Sequence, residues 1–125
     1  MPLLGEPIQG FPPSPSVGAA VNAMVLASTA LTVVVAHVPA VGGGYVLKLD
    51  FAVSVAATTV AFVLSWTDPI AGAQNQTLIS AVLDPGAYNL PSYPFSGAPG
   101  QEITLGAQAG TANQVTVTAS IEKQV

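Results

Sequence analysis

At 125 residues the chain has the length of one ordinary domain, and half of its residues are hydrophobic, enough for a sizeable core and too many for a disordered chain. It has no cysteine, which excludes a disulfide framework and any thiolate metal site. Its net charge is −4, it has no arginine, and its lysines are Lys48 and Lys123, which excludes the clustered positive charge of a nucleic-acid binder.

Only 6% of the residues are charged, against about 25% in a typical soluble domain. So little charge points to an outer surface covered by neighbouring subunits, because interface cores are depleted of charge. The alternative is a surface hydrated by Ser, Thr, Asn and Gln. Twelve glycines and eleven prolines suit many short strands with tight turns better than helices.

Met1–Gly18 carries Pro2, Pro7, Pro12, Pro13 and Pro15 among Gly5, Gly10 and Gly18. Such a segment forms neither a helix nor a central strand and is expected to be extended. With no positive start and no apolar core, it does not read as a signal peptide. A plain linker would not carry Leu3, Leu4, Ile8 and Phe11. These four are the expected contacts of an arm with another subunit. The expected division is therefore an arm over 1–18 and a β-sandwich over 19–125.

Ala19–Val41 is apolar over more than twenty residues, so a membrane span has to be weighed. Asn22, Ser28, Thr29, Thr32 and His37 interrupt it, and no Lys or Arg flanks it. It reads as two strands, near Ala23–Ser28 and Leu31–Val38, with Val34 on the outward phase of the second.

The next stretch, Gly42–Pro69, has the strongest pattern. Tyr45, Leu47, Leu49, Phe51, Val53 and Val55 fall on one face of a strand, opposite Val46, Lys48, Asp50, Ala52 and Ser54. Val60, Phe62, Leu64 and Trp66 then share a face opposite Ala61, Val63 and Ser65. Tyr45, Phe51, Phe62 and Trp66 are the expected core anchors. The short link Ala56-Ala57-Thr58 suggests a hairpin, and Asp68-Pro69 ends the second strand.

After a loop at Ile70–Asn75, a strand near Gln76–Leu83 is apolar on both faces, and Ile79 is expected outward. Asp84-Pro85-Gly86 is a turn. Tyr88–Gly100 reads as a loop with one short strand near Ser92–Phe95. Its Tyr88, Tyr93 and Phe95 are the candidate ligand or partner contacts, because aromatic rings stack on sugars and peptides; the competing reading packs them over the end of the sandwich. Gln101–Ala107 and Val115–Glu122 alternate cleanly around a turn at Gly110–Asn113.

The sum is seven or eight strands and no helix, an antiparallel β-sandwich. A jelly roll is the first topology and an immunoglobulin-like sandwich the second.

Catalytic signals are weak. His37, the sole histidine, lies on an apolar strand phase and reads as a core or interface residue. Glu6, Asp50, Asp68, Asp84, Glu102 and Glu122 form no metal-ligand pattern, and Asp68 and Asp84 suit turn caps. No cofactor is expected, and the chain reads as a non-enzyme.

A strand opening Gly44-Tyr45, a second ending Trp66-Thr67-Asp68, and the closing pair Gln101–Leu105 and Val115–Glu122 occur in this order. In that respect the chain resembles small β-sandwich structural proteins of tailed bacteriophages, over roughly Gly43–Glu122. The Gly-Tyr start is also similar to trimeric jelly rolls of the C1q and tumour necrosis factor type. The resemblance implies a virion component made in the host cytoplasm. It would be a capsid decoration or head-fibre protein, a homotrimer with other capsid proteins as partners, and no membrane or nucleic acid. It carries over no catalytic residue. A receptor- or carbohydrate-binding module at a fibre or tail tip is the alternative.

Overall fold

The period-two runs become strands because a strand sends alternate side chains to opposite faces, and one face of each run is apolar. The computed structural model describes residues 16–124. Among them are nine strands and no helix, hence none long and apolar enough to cross a membrane. The strands are β1 Ser16–Val25, β2 Thr32–His37, β3 Gly43–Val53, β4 Thr58–Asp68, β5 Gly72–Leu83, β6 Gly86–Asn89, β7 Tyr93–Gly97, β8 Ile103–Ala109 and β9 Val115–Gln124.

They form two antiparallel sheets. Sheet one runs β1-β9-β3, with β6 and β7 end to end along the far side of β3. Sheet two runs β2-β8-β4-β5. Since β6 and β7 share one lane, each sheet has four lanes. The chain changes sheet at every connection except β4–β5 and β6–β7. Two four-lane sheets wound in this way are a jelly roll.

Gly42–Pro69 is not a hairpin. β3 and β4 lie in opposite sheets, joined by Ser54–Ala57. The reason is physical: both strands carry a large apolar face, and stacking those faces buries both at once. Phe51 of β3 meets Phe62 of β4 with ring centroids 4.9 Å apart. Around that pair Leu47, Leu49, Val60, Leu64, Ile103, Leu105, Val115, Val117 and Ile121 are all buried.

Other expectations shift. β1 starts at Ser16, so the sheet takes in the last three residues of the segment 1–18; Gly18 pairs with Glu122. It ends at Val25 rather than Ser28. In β2 the register slips between Val33 and Val35. This bulge puts Val34 and Val35 both inside and leaves Val33 exposed. Val46 is on the outer phase yet covered, between Glu122 and Pro94 in the register. β5 begins at Gly72, and Ile79 pairs with Phe62 and packs against the core instead of facing out. Trp66 is half-buried at one end of β4, while Tyr45, Phe51 and Phe62 are fully enclosed.

Candidate functional site

The aromatic candidates sit on the lane that closes sheet one. The Tyr88 ring stacks on Phe51, with centroids 5.1 Å apart, and its hydroxyl donates to the Asp84 carbonyl oxygen at 2.6 Å. Phe95 is buried between Tyr45 and Trp66, at 6.1 and 5.2 Å. Tyr93 meets the edge of Trp66 at 6.0 Å. The expected loop is thus two short edge strands, whose rings spend their faces on the core. Pairing with β3 imposes this: Phe95 and Tyr93 fall opposite Tyr45 and Leu47, on the inward phase.

The polar candidates are scattered. His37 is half-buried, its ring 5.8 Å from Tyr45. The Tyr45 hydroxyl donates to the Val41 carbonyl at 2.9 Å, and burial raises its pKa. Lys123 lies over the same ring at 5.5 Å. Asp68 closes the β4–β5 turn by accepting from the Ile70 and Ala71 amides at 2.8 and 2.9 Å. Those two bonds, that of Ala71 first, hold its carboxyl below the ordinary value. Lys48 pairs with Glu122 at 3.1 Å on the outer face of sheet one. Among the described residues no three His, Asp or Glu side chains gather where a metal could bind. Leu3, Leu4, Ile8 and Phe11 lie outside the described residues.

What the fold does build is a groove. The sandwich opens along the flank where β5 faces β6 and β7. At one level both rims are broken. β5 bulges between Phe62/Ile79 and Val63/Thr77, which leaves Leu78 out of the ladder. On the other rim the lane is interrupted at Leu90-Pro91-Ser92. A cavity of about 210 Å³ lies between the breaks, floored by Leu47 and Leu49, with Gln76, Thr77 and Ser92 on its rim.

The rest of the surface is short of charge and carries large apolar side chains. Val17, Val21 and Val25 of β1 and Leu31 and Val33 at β2 are exposed along the opposite flank. Val38, Val41 and Ile70 are exposed on the loops at the end where β1 begins.

No family model matches the chain, and no curated relative does. A chain in the structure of infectious bursal disease virus Gx strain is similar in fold, with 14% identity and a TM-score of 0.49. The match covers 94% of this chain and 36% of that one, so this chain spans about a third of its length.

The groove was not readable as a strand pattern. Its one trace in the sequence is Pro91, which cannot donate to a ladder and breaks the lane beside β3. The bulge at Leu78 leaves no such mark.

Proposed function

We propose that the chain is a non-enzymatic virion structural protein, a phage capsid decoration or head-fibre subunit that works as a homotrimer and stabilises the shell through subunit contacts. The observation that carries this reading is a jelly roll whose flank and one end expose Val17, Val21, Leu31, Val41 and Ile70 on a chain with only 6% charge. A free monomer with such a surface is poorly protected against association. Closed symmetry covers such patches without open-ended growth. Each square ångström of apolar surface covered is worth roughly 25 cal/mol. The resemblance of the strand starts and ends to phage β-sandwich proteins supports the same reading. On it, the arm at the N-terminus makes the contact with a neighbouring subunit.

The receptor- or carbohydrate-binding alternative needs rings displayed to solvent. Tyr88 and Phe95 instead stack on Phe51 and Tyr45, which weighs against it.

The test is twofold. Light scattering on the purified chain at micromolar concentration is expected to give a trimer, and antibody labelling is expected to place the protein on particles. A monodisperse monomer absent from particles overturns the reading.

A further inference from the structure

We propose that the groove between β5 and the β6–β7 lane is the docking site for the proline-rich segment 1–15 of a second copy. This rests on the subunit-contact reading above and names the surface and its occupant.

The groove has the size and chemistry for anchors rather than for a free small molecule. Its volume of about 210 Å³ lies below the roughly 300–1,000 Å³ of pockets that enclose drug-sized ligands. It does suit one or two aliphatic side chains. Leu47 and Leu49 form the floor, and Leu78, Leu90, Pro91 and Tyr93 form the walls. None of the lining residues is charged. Grooves walled by aromatic and proline side chains hold extended proline-rich segments, whose restricted backbone loses little entropy on docking. Such a segment is rich in carbonyl acceptors and poor in N–H donors. The rim matches that: the Ser92 hydroxyl is a donor beside the opening, and the Gln76 amide, which gives one N–H to the Thr77 carbonyl oxygen at 3.1 Å, keeps a second.

Segment 1–15 fits by sequence. It bears Leu3, Leu4, Ile8 and Phe11 as anchors, spaced by prolines, with Glu6 as its single charged side chain. It also has the length. Fifteen extended residues reach about 50 Å. The place where it joins the fold selects a second copy over its own groove. Ser16 pairs with Gln124 at the start of β1, on the edge of sheet one opposite β6 and β7. To reach its own groove the segment would have to double back around the end loops directly before Ser16. Pro12, Pro13 and Pro15 stand there, and proline restricts both itself and the preceding residue to extended backbone. A reversal over these residues is therefore disfavoured, whereas an extended run to a neighbouring copy needs no turn.

The absence of cysteine gives a clean test in the full-length chain. A Gln9→Cys chain is mixed with a Ser92→Cys chain and oxidised mildly. Gln9 neighbours the Ile8 anchor, and Ser92 is exposed on the groove rim. The expected result is a disulfide-linked heterodimer at least tenfold above that given by Gln9→Cys with Thr111→Cys, an exposed position in the β8–β9 turn. Unlabelled full-length chain in excess is expected to compete the link away. Equal yields at Ser92 and Thr111 overturn the proposal. So does a concentration-independent link within one chain of the double variant. Light scattering on the same samples separates the two readings: an oligomer without the Ser92 link sinks the groove alone, and a monomer without it sinks both.

Discussion

Two buried polar atoms, Thr58 Oγ1 and Trp66 Nε1, have no hydrogen-bond partner among the described residues. A buried group in that state costs its desolvation without return. Thr58 is 4% exposed, with its side chain on the inward phase of β4. Thr58→Val replaces the hydroxyl with a methyl of similar shape. It is expected to raise stability by about 1 kcal/mol in urea unfolding, and a loss of that size would mean that the hydroxyl has a partner. At Asp68 the sign is opposite, because its carboxylate accepts two backbone amides at the turn. Its folded pKa lies below the ordinary 3.8. The stabilisation is therefore complete above that value and is lost as the pH falls through the lower folded value. Asp68→Ala is expected to lower Tm at neutral pH, with the gap to the parent chain closing in the acid range below 3.8. A gap that persists undiminished at the acid end would assign it to packing instead.

Among the elements, the strands with one clean apolar phase were legible. β3, β4, β8 and β9 follow from Tyr45–Val53, Val60–Leu64, Ile103–Ala107 and Val115–Ile121, because a single face of each had to be buried. What period two does not encode is partnership. The faces of β3 and β4 look alike whether the strands pair edge to edge or stack face to face, and only the second arrangement buries both. Bulges defeat the pattern locally, as at Val33–Val35 and Leu78, where one extra residue changes the phase. The β7 lane shows how tightly an edge can be fitted. Gly97 is buried opposite Gly43, and a Cβ there would lie 3.1 Å from the Tyr45 ring and 3.4 Å from Ile103 Cδ1. Gly97→Ala is expected to cost about 1–3 kcal/mol by overpacking. Thermal unfolding followed by circular dichroism checks it, and an unchanged Tm would mean that the lane can shift outward. The groove lies at the break in this same lane. It was illegible because it arises from two irregularities on strands separated in sequence.

For the whole molecule the decisive quantity is the balance of exposed apolar area against charge. Val21 is 74% exposed in the middle of β1, with Val25 exposed on the same strand, and Leu31 and Val33 are exposed at the edge strand of the other sheet. Covering one such valine fully is worth about 1.5–3 kcal/mol, and each 1.4 kcal/mol is a factor of ten in affinity. With symmetry every copy contributes, so a few side chains suffice to hold an oligomer at micromolar concentration. Because Lys48 and Lys123 are the only basic side chains apart from His37, ion pairs cannot dominate these contacts. Association is therefore expected to hold from roughly 0.1 to 1 M salt, over which the Debye length falls from about 10 to 3 Å and surface pairs are screened. Val21→Lys places a charge that would have to be buried at the contact. Its backbone position tolerates the change, since the side chain stands on the outer phase of an edge strand. Light scattering of the full chain is expected to show a salt-insensitive trimer, and Val21→Lys is expected to raise the dissociation midpoint at least tenfold with an unchanged far-ultraviolet spectrum. Dissociation of the parent chain by salt would mean that its few charges hold it together. An unaltered oligomer in Val21→Lys would move the contact off the β1–β2 flank, leaving the groove and the end bearing Val38, Val41 and Ile70.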